Sequence, residues 1–262
     1  MATSNKLVLH FDINGTITLF DSDEPGNKLE NVNMVIARSA YGKVLNGKWI
    51  PNKNWRDEKD SISYYKYLKK TTPDYKKQSY ISTNKGKPLE HLVNYIQKLL
   101  KSDFLMDSFI EIIKEYGENP DVIIVLRTFG ADTDNTVKNL QKCIRENTKL
   151  IIKGTFNHYD DRPVVKLENG HTIHGLDDLN KYFLHIDHYL ALQEDYDYWN
   201  NKGRTNKYGK QLLGDSKITQ IFFDDNNCVN VINDLNTKFV KVNTLDAIID
   251  KNYYKNIIRD YY

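Results

Sequence analysis

Cysteine is scarce in this chain of 262 residues: only Cys143 and Cys228 occur, far apart. Two distant thiols cannot staple a small disulfide fold, and so few fit a reducing compartment. Proline is scarce too, at six, and neither an internal repeat nor a low-complexity linker divides the chain. No charge sign dominates. Lys and Arg number 37 against 35 Asp and Glu, a formal charge of +2, which argues against a nucleic-acid binder relying on a basic surface and leaves only a local patch. Long hydrophobic runs are missing as well. The apolar run nearest the N-terminus, Leu7 to Phe11, is too short for a signal segment or a membrane span and ends in polar residues. The expectation is a cytoplasmic protein with no membrane partner.

What is present fits a packed globular chain. Apolar residues make up 40% and aromatics 12%, which excludes global disorder. At roughly 150 residues per domain, the length suits one large domain or a core with a second lobe. Three short runs of β-branched, aliphatic and aromatic residues share one form: Leu7 to Phe11 before Asp12, Val122 to Leu126 before Arg127-Thr128, and Ile218 to Phe223 before Asp224-Asp225. Runs without polar alternation predict strands buried on both faces, as in a parallel sheet. Phe239 to Val242 predicts a fourth. Helical spacing appears over Pro88 to Lys101, Met106 to Tyr116 and Asp132 to Glu146. The fold class expected is therefore α/β, a doubly wound parallel sheet with inserted cap elements.

Ligands of such sheets bind outside the carboxyl ends of the strands. Asp12, Thr128 and Asp224-Asp225 all fall there. Two stretches do not fit a minimal sheet. One is 46–85, polar and aromatic, with turn-like Asn46-Gly47 and Asn84-Lys85-Gly86. The other is 156–204, in which Val164 to Leu167, Glu168-Asn169-Gly170 and His171 to His174 suggest a hairpin. They are assigned as two candidate caps, leaving 1–45, 86–155 and 205–262 as the core.

The most specific string is Asp12-Ile13-Asn14-Gly15-Thr16 directly after a hydrophobic strand. A carboxylate there, followed by a glycine that lets the chain turn, can serve as nucleophile and metal ligand, or can simply close the strand in an Asx turn. With Val122 to Leu126 leading to Thr128, and Ile221-Phe222-Phe223 leading to Asp224-Asp225, the chain resembles the haloacid dehalogenase-like (HAD) superfamily, most of whose members transfer phosphoryl groups through an aspartyl-phosphate. The resemblance covers the core strands, in order. It implies a Rossmann-like HAD core, Asp12 as nucleophile and Thr128 as donor to a phosphoryl oxygen. Lys210, with Lys207 in reserve, would balance the charge. It also implies Mg²⁺ held by Asp12, the Asn14 backbone carbonyl, Asp224 and Asp225, with a small phosphorylated substrate. Thr16 would brace the turn.

One position departs from the family pattern. Phosphatases of the family usually carry Asp two residues after the nucleophile, as the acid and base of the reaction, and here Asn14 stands there. An amide does not titrate, and loss of such a catalyst typically costs ~10²–10⁴ in rate. The expected function is Mg²⁺-dependent phosphate-ester hydrolysis, slow or with a borrowed acid such as Glu194 or Asp195. The alternative is a weak or inactive module that binds phosphate and metal. Arg127 is either a substrate-anion contact or an ion-pair partner. His10 reads as a core residue, and the pairs His171/His174 and His185/His188 as ordinary half-buried histidines rather than a zinc site. Lys66, Lys69, Lys70, Lys76 and Lys77, interleaved with tyrosines, read as a solvated face, with nucleic-acid contact as the lesser reading. Oligomeric state is left open.

Overall fold

Burial on both faces sets the centre of the fold. The structure, a computed structural model, describes residues 6–19, 28–72, 90–99, 105–143 and 149–262. Its strands are β1 (Lys6–Asp12), β2 (Tyr41–Leu45), β3 (Lys48–Pro51), β4 (Ile62–Ser63), β5 (Val122–Thr128), β6 (Ile151–Tyr159), β7 (Arg162–Leu167), β8 (Thr172–His174), β9 (Tyr189–Glu194), β10 (Lys210–Leu213), β11 (Ile218–Asp224), β12 (Val229–Ile232) and β13 (Thr237–Lys241). The helices are α1 (Lys28–Ser39), α2 (Tyr64–Thr71), α3 (Glu90–Leu99), α4 (Asp107–Tyr116), α5 (Thr133–Cys143), α6 (Leu176–His185), α7 (Tyr196–Asn201), α8 (Thr244–Ile249) and α9 (Tyr253–Arg259).

An eight-stranded, mostly parallel sheet runs β13-β11-β1-β5-β9-β6-β7-β8. All pairs from β13 to β6 are parallel, and β7 and β8 extend the sheet antiparallel. The protein is thus a mixed α/β fold. On one face Leu7, Leu9 and Phe11 of β1 pack beneath apolar residues of α1, α3, α4, α8 and α9. Phe11 stacks on Phe223 at 4.8 Å and meets Phe109 and Tyr254 edge-on at 5.0 and 5.2 Å. The opposite face holds Val8, Ile123 and Val125 under Leu179 and Phe183 of α6. β10 and β12 form a separate two-stranded sheet, from which Leu212 and Val229 pack against Phe222.

Register places the strand ends together. Phe11 is level with Leu126 of β5 and Phe223 of β11, so Asp12, Thr128 and Asp224 emerge within about one residue of each other along the strands. β1 has β5 on one side and β11 on the other, and this divergence at the carboxyl edge opens a crevice.

Two segment assignments differ from expectation. Much of 156–204 belongs to the central sheet and does not stand apart from it. It supplies the end of β6 together with β7, β8 and α6, and also β9, which lies between β5 and β6 in the central sheet. The reason is burial: Tyr189, Leu190, Ala191 and Leu192 are each at most 1% exposed, a core strand too short to stand out in sequence. The β7–β8 hairpin lies where expected. The boundary at residue 45 also moves. Asn46 and Gly47 both have positive φ (48° and 73°) and form the tip of the β2–β3 hairpin, so β2 belongs with β3 and β4 in a small antiparallel sheet that begins at Tyr41. Residues 88, 89, 100, 101 and 144–146 of the expected helices, and 73–85 of the first expected cap, lie outside the described residues. No helix among the described residues is long and apolar enough to cross a membrane.

Candidate active site

The end of β1 delivers Asp12 into the crevice, only 6% exposed. The chain then turns sharply. Gly15 has φ +74°, and a Cβ there would come within 2.6 Å of Asp225 Oδ2, so only glycine lets the turn lie against that carboxylate. Thr16 braces the turn: its hydroxyl accepts from Asp225 N at 3.1 Å and its carbonyl accepts from Tyr254 Oη at 2.5 Å. β11 brings Asp224, fully buried, with Asp225 half-buried beside it. One carboxylate oxygen from each of Asp12, Asp224 and Asp225 lies within 4.8 Å of the other two, and this is the one cluster of metal-ligating side chains found among the described residues.

Lys210, the first residue of β10, enters from the far side. It is 1% exposed, and its ammonium donates to Asp12 Oδ1 and, at 2.8 Å, to Asp224 Oδ2. Lys207, the reserve choice, is exposed and its ammonium lies over the Tyr208 ring. Cys228 completes the base of the site, its thiol donating to Asp224 Oδ2 at 3.3 Å. Three carboxylates against one ammonium leave excess negative charge in a desolvated place. Burial pushes the Asp12 carboxyl up to about 7; Lys210 opposes the shift and Asp224 adds to it. Burial also drives Asp225 well above the usual carboxylate range, with Asp12 and Asp224 contributing. Desolvation works against the Lys210 ammonium, but Asp12 and Asp224 outweigh it and hold its pKa above the ordinary value.

β5 contributes Thr128, buried, whose Oγ1 accepts from Gly130 N at 3.0 Å and keeps its hydroxyl hydrogen to donate. Arg127 turns the other way. It is a buried ion-pair partner of Glu194, also donates to the Gln211 carbonyl at 2.7 Å, and lies over the Phe156 and Phe222 rings. Of the two acids considered as substitutes for the missing one, Glu194 is thus engaged with Arg127. Asp195 caps α7, accepting from Tyr198 N at 2.9 Å and His158 N at 3.0 Å.

A cleft of about 350 Å³ opens above these groups, with Asp12, Asn14, Thr128 and Lys210 at its base. Phe129, Tyr196 and Trp199 form one wall and Asn226 and Asn227 the other. Phe129 and Trp199 stack at 4.5 Å, and Arg204 lies over Tyr196 and Trp199 while donating to the Tyr196 hydroxyl at 2.5 Å. This wall is held by its own contacts. A neighbouring cleft of about 450 Å³ shares Asn14, Asn226 and Asn227 and is also lined by Asp225, Arg38 and Lys241.

Comparison with protein-family profiles, curated proteins and solved structures gives no match.

The donor set suits a hard divalent cation. Oxygen ligands are what Mg²⁺ takes, and the excess of buried carboxylates is what a cation relieves. The other sequence candidates fall elsewhere. His10 is buried in β1, with Nε2 at 3.1 Å from Gln220 Oε1 and its ring stacked on Phe222. Tyr64 and Tyr67 are buried in the core, where Tyr64 packs on Trp49, so they do not form a stacking platform among the lysines. Tyr75, Lys76 and Lys77 lie outside the described residues. Sequence reasoning missed Asp132, whose Oδ2 accepts from Asn14 Nδ2 at 2.7 Å. In the sequence it was only the start of a helix.

Proposed function

We propose that the chain is a phosphate-ester hydrolase of the haloacid dehalogenase-like type, acting through an aspartyl-phosphate on Asp12. The observation that carries this reading is that four distant segments bring Asp12, Thr128 and Lys210 to the base of one cleft and set Asp224 and Asp225 directly against Asp12. In the first step an Asp12 carboxylate oxygen attacks phosphorus, the bond from phosphorus to the ester oxygen breaks, and the leaving group departs with the bonding pair and takes a proton from solvent. In the second, water attacks phosphorus, the bond to Asp12 breaks, and the Asp12 carboxylate is regenerated as inorganic phosphate leaves with the water oxygen. Lys210 keeps Asp12 aligned and offsets charge arriving with the phosphoryl group, and Thr128 donates to one of its oxygens. Asp12, the Asn14 carbonyl, Asp224 and Asp225 would hold Mg²⁺. When bound, that ion neutralises part of the charge that otherwise repels a carboxylate from a phosphate dianion.

Purified protein should release phosphate from 4-nitrophenyl phosphate only with Mg²⁺ present, and Asp12→Asn should abolish release. Activity that survives the substitution sinks the nucleophile assignment. A second reading, a module that binds phosphate and metal without turnover, is favoured by one observation: Asn14 stands in the acid position with its amide nitrogen committed to Asp132. Asn14→Asp discriminates. Turnover should rise if only the acid is missing, and stay absent if the site merely binds.

A further inference from the structure

The pair Asn14–Asp132 has no part in the steps above. Asn14 lines the reaction cleft beside Asp12, in the position from which a second aspartate would act. Its Nδ2 donates to Asp132 Oδ2 at 2.7 Å, while its Oδ1 is buried with no partner among the described residues. An ionised carboxylate only accepts, so Asp132 fixes which way the amide faces: nitrogen toward Asp132, oxygen away from it. The packing is made for this contact. A Cβ on Gly130 would lie 2.5 Å from Asp132 Oδ2, 3.5 Å from Asn14 Nδ2 and 3.6 Å from Thr128 Oγ1, so the bare Gly130 backbone leaves the space in which the three groups meet. Asp132 is itself 6% exposed and does not line the cleft.

We infer that Asp132 is a positioning residue: it locks the Asn14 amide so that the Asn14 oxygen accepts a hydrogen bond from the water that resolves the phosphoenzyme. This rests on the proposed phosphoryl chemistry. The orphaned Oδ1 gains its missing donor when that water arrives, and the amide orients the water without taking its proton. Resolution is therefore the slow step, and Asp132 acts on it alone. Formation of the phosphoenzyme from a substrate with a good leaving group does not need the Asn14 oxygen.

The plain alternative is that Asp132 only caps α5, whose first helical bond runs from Thr136 N to the Asp132 carbonyl at 2.9 Å. Serine and asparagine cap as well as aspartate does, so Asp132→Ser and Asp132→Asn keep that role. Serine is too short to reach Asn14. Asparagine can donate or accept, and so permits either orientation of its neighbour. With 4-nitrophenyl phosphate and Mg²⁺, the unaltered protein should give a burst of 4-nitrophenol near one equivalent. In Asp132→Ser the burst should remain while kcat falls about 10- to 100-fold, the range expected for a lost charge-assisted hydrogen bond. KM should fall in parallel, leaving kcat/KM unchanged. Asp132→Asn should lie between the two. An unchanged kcat, or kcat and kcat/KM falling together, overturns the inference. If the unaltered protein forms no phosphoenzyme, the proposed chemistry fails, and the lock is judged by proton exchange at the Asn14 side-chain amide, assigned by its loss in Asn14→Asp. Slow exchange that becomes fast in Asp132→Ser supports the lock, and exchange indifferent to residue 132 overturns it.

Discussion

Replacing Asp12 by asparagine should stabilise the metal-free protein, and by an amount that depends on pH. The side chain is nearly isosteric, so packing is kept while one of three buried carboxylates loses its charge. Burial raises the Asp12 carboxyl from 3.8 to about 7. Each pKa unit corresponds to about 1.4 kcal/mol, so ionised Asp12 costs the folded state roughly 4 kcal/mol relative to the unfolded chain. The sign follows from proton counting. Between pH 3.8 and about 7 the folded protein holds a proton on Asp12 that the unfolded chain has released, so this group's contribution to stability falls as pH rises and levels off above about 7. His10 acts in the opposite direction, because burial lowers its imidazole to about 3, but it is common to both proteins and cancels in their difference. Urea unfolding in metal-free buffer from pH 4 to 8 should show near equality at pH 4 and Asp12→Asn more stable by up to about 4 kcal/mol at pH 8. Adding Mg²⁺ should narrow the gap, because the cation relieves the charge that the substitution removes. A difference that does not vary with pH, or a variant less stable at pH 8, refutes the account of an overcharged cluster.

Two further substitutions test the buried charges from the other side. Lys210→Met removes the ammonium bonded to Asp12 and Asp224 and should cost about 3–5 kcal/mol in urea unfolding, the usual penalty for leaving a buried charge uncompensated. Glu194→Leu should cost a similar amount by stranding Arg127, whereas the double change Arg127→Met with Glu194→Leu should recover most of it, measured in the same assay.

The carboxyl edge was legible because its strands are buried on both faces. Leu7 to Phe11, Val122 to Leu126 and Ile218 to Phe223 are dominated by apolar residues, and within two residues of the end of each comes the side chain that joins the site: Asp12, Thr128 and Asp224. Lys210 was reached only through a family resemblance, since one lysine among many carries no local signal; its burial between two carboxylates is a product of tertiary folding. β9 was not legible. Tyr189-Leu190-Ala191-Leu192 is short, includes the weak strand former alanine, and owes its place to pairing with β5 and β6. Asn46-Gly47 was recognised as a turn but taken for a boundary, because a hairpin tip and a linker share the same residues. Asp132 was hidden by its neighbours. A helix-start aspartate is common, and nothing in sequence shows that this one faces Asn14 across the sheet edge.

The position of β1 between β5 and β11 has a consequence for synthesis on the ribosome. Among the described strands β1 is made first, yet its neighbours begin only at Val122 and Ile218. At roughly 5–20 residues per second, Leu7 to Phe11 waits on the order of 10 to 40 s with at least one edge unpaired. An apolar strand in that state pairs readily with other chains. The nascent chain should therefore depend on chaperones until β11 emerges, and any truncation before Asp224 should yield an aggregating fragment instead of a partial site.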